Sequence, residues 1–242
     1  NQLKQLEMQF LATKKRLENK FGAKKFIVYF QSFTNTYAPF DTLKALYEKA
    51  LSFDNVIGLS IGTRTDCVTE EILDFLVEKS KTKEIWVEYG IQSFFDETLV
   101  RINRGDNVSN MKYWIKRTKE KGLNVCGHLI YGLPNETQEM MLETFNQTIE
   151  LNVDSIKFHP LYVVKNTLLT NEYKKGKFTP ISEELYIDTV VKSIINLPSN
   201  ISVQRITAGI DDDTLLSPEW CRDKHTQMKN IRLALEKEGF NY

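Results

Sequence analysis

The stretch "VEYGIQSFFDETLVRINRGD", Val87 to Asp106, begins as a buried strand and then breaks its own pattern. Val87, Tyr89 and Ile91 project to one side and Glu88, Gly90 and Gln92 to the other, because strand side chains alternate. In a parallel sheet covered on both faces, that second side carries a carboxylate, a gap and an amide. Burying a polar group costs free energy unless it is hydrogen-bonded. The stretch therefore demands partners for Glu88 and Gln92, and it puts Arg104 on a Gly-containing turn just beyond them.

Outward from this stretch, short apolar runs recur about every thirty residues, the length of a βαβ step. "KFIVYF" (25–30) and "VIGLSIGT" (56–63) precede the strand that opens in "EIWVEYG" (84–90). "NVCGHLIYG" (124–132) and "DSIKFH" (154–159) follow it. Helical spacing fills the gaps over residues 41–52, 69–80, 109–121 and 137–151. Asp41 stands where an N-cap is expected, "TEEILDFLVEK" has acids in its first turn, and Gly122 marks a helix stop. Such alternation predicts an α/β fold with parallel strands, either a (β/α) barrel or a doubly wound sheet.

In both architectures ligands bind at the carboxyl ends of strands. Five successive strand ends are polar here: "QSFTNT", "GTRTD", "GIQS", His128 leading into "GLPNET", and "KFHPLY". A barrel mouth gathers all of its strand ends, whereas a doubly wound sheet would concentrate polar groups at one switch point. No GxGxxG or GxxxxGK[ST] follows the first strand, which weighs against a dinucleotide or P-loop site. The barrel is the preferred reading.

Composition sets the bounds. The 242 residues are 41% hydrophobic and 26% charged, an ordinary soluble globular balance. Lys+Arg 32 against Asp+Glu 32 gives no global pull toward nucleic acid or membrane and leaves only local patches to do so. No apolar run approaches the ~20 residues of a membrane span. The opening "NQLKQLEMQFLATKKRLENK" reads as an amphipathic helix, not a secretory signal. Cys67, Cys126 and Cys221 are far apart and form no CxxC, so a disulfide framework is not expected and a reducing cytoplasm fits.

Taken together, "VEYGIQSFFDETLVRINRGD", "HLIYGLPNET" and "GTRTD" resemble the radical S-adenosylmethionine (radical SAM) enzymes. The nearest branch is that of the elongator catalytic subunit and its small bacterial relatives. "GIQSF" and "LIYGLP" are also similar to signatures of the oxygen-independent coproporphyrinogen dehydrogenases. The resemblance runs collinearly from Phe26 to about Leu169. It implies a partial (β/α) radical-SAM-type barrel of parallel strands over residues 1–165, with a C-terminal α+β extension over 166–242. It also implies S-adenosylmethionine across the strand ends and a [4Fe-4S] cluster held by cysteines after the first barrel strand. The expected chemistry is a 5′-deoxyadenosyl radical that takes hydrogen from substrate, with an electron donor such as a flavodoxin or ferredoxin. The nearest branch adds tRNA modification, with tRNA as substrate.

Carried over residue by residue, Ser32, Phe33, Thr34 and Asn35 occupy the loop that meets the methionine amine, without the family's glycines. Gln92 falls near the ribose or methionyl portion, and Arg104 where an Arg pairs the methionine carboxylate. The resemblance sets His128 toward ribose and Ile130 against adenine, with His159 to Leu161 closing over it. Arg64 and Asp66 form a "TR-x-D" element of the same branch.

No cluster motif occurs in the chain, so its ligands are expected upstream of Asn1. Asn1 is no initiator Met, and the chain is expected to be a piece of a longer enzyme, inactive alone. One rival reading is an S-adenosylmethionine-binding or scaffold protein without redox chemistry. Another is a metal-dependent barrel enzyme using His128 and His159, for which no third ligand stands at a recognisable spacing. Plainer readings pair Glu88 with Lys157 and make Cys126 a small core residue. After Leu169 a helix, a basic turn, a helix from Ser182, a strand in "NISVQRITAGI" and a final helix are expected. Both Asp211–Asp213 and the lysines 174, 175 and 177 read as solvated.

Overall fold

The computed structural model describes residues 2–240. Strands β1 (Phe26–Phe30), β2 (Val56–Thr63), β3 (Glu84–Gln92), β4 (Asn124–Tyr131), β5 (Ser155–Pro160) and β7 (Ser202–Arg205) form one sheet in that order. The pairs β1–β2, β2–β3 and β5–β7 are parallel. A second, antiparallel ladder joins β6 (Val163–Val164) to β8 (Leu215–Ser217). The chain divides into two compact units. One runs to Gly90 and resumes over Asn110–Cys126; the other comprises Ile91–Ser109 and everything from Gly127.

In the first unit, α1 (Gln2–Phe21) precedes β1 and stacks Phe10 on Phe53, ring centroids 4.4 Å apart. Helix α2 (Phe40–Leu51) buries Leu43, Tyr47 and Ala50, and Phe30 meets the Tyr47 ring edge-on. That contact turns the even positions of β1 toward the helix and leaves Tyr29 on the opposite face. Helix α3 (Glu70–Ser80) is capped by the Thr69 side chain, which accepts from Ile72 N–H. Helix α5 (Val108–Glu120) carries Thr118, bonded to the buried Tyr89 hydroxyl at 2.7 Å. Tyr89 therefore faces the helix, and Glu88 faces the other way.

The second unit holds α4 (Asp96–Arg101), α6 (Gln138–Glu150), α7 (Leu168–Lys174), α8 (Glu183–Ile195) and α9 (Lys224–Lys237). Phe158 of β5 packs against Tyr131 and Phe145, and the Tyr131 hydroxyl meets Ser193 at 2.7 Å. Tyr186 donates to the Ile206 carbonyl at 2.9 Å. Buried phenols at Tyr89, Tyr131 and Tyr186 thus all have partners, as burial in an apolar core requires.

Five details depart from the sequence reading. Asp41 is not the cap of α2: Pro39 takes that place at φ −54, and Asp41 sits in the first turn, where its charge favours the helix dipole. The third strand runs on to Gln92. The strand expected in "NISVQRITAGI" shortens to Ser202–Arg205 and extends the main sheet beside β5. Leu215–Ser217 and α4 were not foreseen, both being too short for a periodicity to show.

Candidate functional site

Glu88 answers the question its strand raises. It is 3% exposed, yet Tyr29 donates to its Oε2 at 2.8 Å and Ser60 donates to its Oε1. Tyr29 and Ser60 are register partners on β1 and β2, so the three side chains share one face. The carboxylate also lies within 4.8 Å of the Cys126 sulfur. This is a buried hub of the scaffold, and parity identifies its donors once the register is known.

The loop after β1 is clamped to the strand ends. Asn35 donates its side-chain amide to the carbonyls of Phe30 and Gly62, each at 2.9 Å, and Tyr47 donates to the Asn35 carbonyl. Thr36 and Thr63 join through their hydroxyls. Ser32 and Asn35 line a hollow beside β1, whereas Phe33 is 98% exposed at φ +63. Thr34 closes a turn by accepting from Tyr37 N–H at 3.1 Å. At the end of β2, Arg64 grips Asp66 with two bonds, Nε at 2.7 Å and Nη2 at 2.5 Å. In this unit Asn35 and Arg64 thus hold local structure.

The second unit presents the remaining candidates. Gln92 has φ +67, a left-handed conformation costing a non-glycine residue about 1–2 kcal/mol. Ser93 N–H donates to the Ile91 carbonyl at 2.9 Å, closing a tight γ-turn around it. The turn is pinned from both sides. The Ser93 hydroxyl donates to Glu136, and Phe94 N–H donates to Thr144 on α6 at 3.2 Å. Burial raises the Glu136 carboxyl above its ordinary range, against the lowering effect of the Ser93 and Thr98 hydroxyls. Backbone strain fixed so firmly is typical of functional sites.

Arg104 follows α4. Asn103 takes φ +53, and Arg104 N–H reaches back to the Leu99 carbonyl at 2.9 Å, a left-handed helix cap built on Asn. The Arg104 Nε is buried without a hydrogen bond, while the residue is engaged through other atoms. On β4, Tyr131 faces Ser193 of α8, so His128 and Ile130 stand on the opposite face, both half-buried. On β5 the same parity sets Lys157 and His159 opposite Phe158. The His159 Nδ1 lies 2.7 Å from the Pro160 carbonyl, and its ring is 5.0 Å from that of Tyr162. Burial pulls His159 down to about 4, opposed by that carbonyl and assisted by the Arg205 and His128 charges. Leu161 N–H donates to the Tyr131 carbonyl at 2.8 Å, tying the ends of β4 and β5 together. His128 and Arg205 are both near enough to act on His159, and Arg205 was not among the sequence candidates. No local pattern marks it: Arg205 comes beside Lys157 only through the β5–β7 register.

Residues 7–148 match the family model of the Radical SAM superfamily, and residues 153–237 match that of the Radical_SAM C-terminal domain. The chain belongs to the radical SAM superfamily. Protein YhcC of Escherichia coli K12 is 38% identical over 95% of this chain and 74% of its own length. The tRNA uridine(34) acetyltransferase of Methanocaldococcus infernus is 29% identical over 64% of this chain and 29% of its own length. The solved structure of archaeal M. infernus Elp3 with an N-terminal deletion superposes with a TM-score of 0.78 at 23% identity. That likeness covers 98% of this chain and 60% of the archaeal one, and it is a likeness of fold: the α/β partial barrel of the superfamily. Radical SAM membership carries enzyme chemistry with it. No helix among the described residues is long and apolar enough to cross a membrane.

Proposed function

We propose that this protein is a radical SAM enzyme whose strand ends hold S-adenosylmethionine and whose substrate is a nucleoside in RNA. S-adenosylmethionine held there and given one electron by a donor would supply the superfamily's chemistry, abstraction of a hydrogen atom from substrate. The donor set fits that cofactor. Arg104 offers a planar guanidinium for the methionine carboxylate, Gln92 and His128 offer an amide and an imidazole for the polar methionyl and ribose edges, and Ile130 offers an apolar surface for adenine. His159 and Leu161, at the tied ends of β4 and β5, close the adenine side and exclude water. The observation that carries the reading is the strained, doubly pinned turn at Gln92, within a chain that belongs to this superfamily.

The cysteines do not fit a cluster. Such a cluster is held by thiolates, whereas Cys126 is fully buried and burial pushes the Cys221 thiol up to about 12. None of Cys67, Cys126 and Cys221 is assigned a part in it.

The RNA reading is supported by similarity to a tRNA-modifying relative. An electron donor such as flavodoxin or ferredoxin and a cytoplasmic setting belong to the same proposal. The test is full-length protein prepared without oxygen, reconstituted with iron and sulfide, and incubated with S-adenosylmethionine and a reductant. Formation of 5′-deoxyadenosine is expected. Tight S-adenosylmethionine binding with none formed would replace the enzyme by a binding protein.

A further inference from the structure

In the second unit, a hollow of about 610 Å³ opens between β7 and α9. Its walls come from Val203, Gln204 and Arg205 on the strand and from Lys224, Met228 and Arg232 on the helix. Helix α9 buries Gln227, Ile231 and Leu235, so a face four residues apart, 224–228–232, is left to line the opening. β7 is the last strand of the sheet, bonded to β5 on one side only.

Three of the lining residues are cations and none is an acid. Among the described residues, Arg205, Lys224 and Arg232 take part in no ion pair, whereas Arg101, Lys192 and Arg222 of the same unit each have a carboxylate. The acid next in sequence, Asp223, is committed to its own helix: it accepts from His225 N–H and Thr226 N–H at 3.0 Å and from the Thr226 hydroxyl at 2.6 Å. Uncompensated like charges around a concavity focus a positive potential there, in a chain whose formal net charge is +0.

Spacing narrows the ligand. Lys224 and Arg232 lie eight residues apart on one helix, about 12 Å along its axis. Two long cationic side chains based that far apart on one helix face can engage two linked phosphates at once. Arg205 ties the groove to the strand ends. It is the register partner of Lys157, and its charge reaches His159 and Tyr162 beside the end of β5.

We propose that the hollow between β7 and α9 binds two linked phosphate groups of the substrate through Arg205, Lys224 and Arg232. The proposal deepens the RNA reading and relies on it only for the source of the phosphates. Arginine supplies a forked pair of donors to phosphate, and lysine a point charge.

The test measures binding by the full-length protein of two probes, a short single-stranded RNA and tripolyphosphate, over a range of salt concentrations. The variants are Lys224→Gln with Arg232→Gln, both at exposed positions, and separately Arg205→Gln. Each variant is expected to weaken the preferred probe about 10-fold or more, at unchanged melting temperature, and the paired variant to cut the salt slope by about one to two. Preference for the RNA assigns the phosphates to a polynucleotide backbone; preference for tripolyphosphate assigns them to a small phosphorylated substrate. Equal affinity of variants and parent for both probes, or binding of neither, overturns the proposal. Because the readout is binding, it stands or falls apart from 5′-deoxyadenosine formation.

Discussion

Tyr29 and Glu88, 59 residues apart and on strands separated by β2, are joined by a 2.8 Å hydrogen bond from phenol to carboxylate. Ser60 on the intervening strand donates to the same carboxylate. The odd feature of the sequence, an acid in the middle of an apolar strand, is thereby explained as a polar pin across three strands of the sheet.

Removing that acid leaves hydroxyls without their acceptor in a buried place. Glu88→Ala is expected to lower unfolding free energy by about 2–4 kcal/mol, and Glu88→Gln, which keeps an acceptor, by less. Urea denaturation of both variants measures it. A loss under about 0.5 kcal/mol for Glu88→Ala would remove the pin from the account.

Two glycines separate steric from conformational cost. A Cβ at Gly58 would stand 2.1 Å from the Glu84 carbonyl oxygen, a backbone atom that cannot step aside. Gly122 has open space but φ +80. Gly58→Ala is expected to cost about 1–3 kcal/mol and Gly122→Ala about 1 kcal/mol. Thermal melts of the two variants rank them; the reverse order contradicts the packing described.

The sequence carried the alternation of strands and helices because each helix shows its own apolar period and Thr69 and Thr137 cap theirs. It also carried the parity of Glu88 and Gln92. What it hid depends on partners distant in the chain. Tyr29 and Ser60 become donors to Glu88 only through the β1–β2 register. The strain at Gln92 comes from a γ-turn that no residue preference announces, since Gln does not favour positive φ. Arg205 looked like one residue of an isolated strand, and only pairing with β5 brings it beside Lys157. Asp41 misled because an acid favours a helix start from inside the first turn as well as from the cap, and here Phe40 already begins the helix.

Thr69 caps α3 with its side chain, accepting from Ile72 N–H at 3.3 Å. Thr69→Ala is expected to cost about 1 kcal/mol, and Thr69→Asp to restore it. Equilibrium unfolding of the pair tests this, and no difference between them would mean the cap contributes nothing.

His159 gives the protein an acid-sensitive element. Its folded value, pulled down by burial to about 4, lies below the ordinary 6.5. Between those values the unfolded chain binds more protons than the folded one, so stability falls as pH drops. Nothing is lost above about 6.5, and the loss is complete near 4, amounting to roughly 3 kcal/mol. His159→Gln is expected to flatten the stability profile across that window. An unchanged slope would show that the ring titrates normally.

The proposed function places S-adenosylmethionine at the end of β3 and the turn after α4. Calorimetric titration of the reconstituted full-length protein with S-adenosylmethionine, repeated for Arg104→Ala and Gln92→Leu, tests it most directly. The expected result is a weakening of about 10-fold or more for Arg104→Ala, a smaller one for Gln92→Leu, and melting temperatures close to the parent. Unchanged affinity in both variants, with or without a loss of stability, would contradict it.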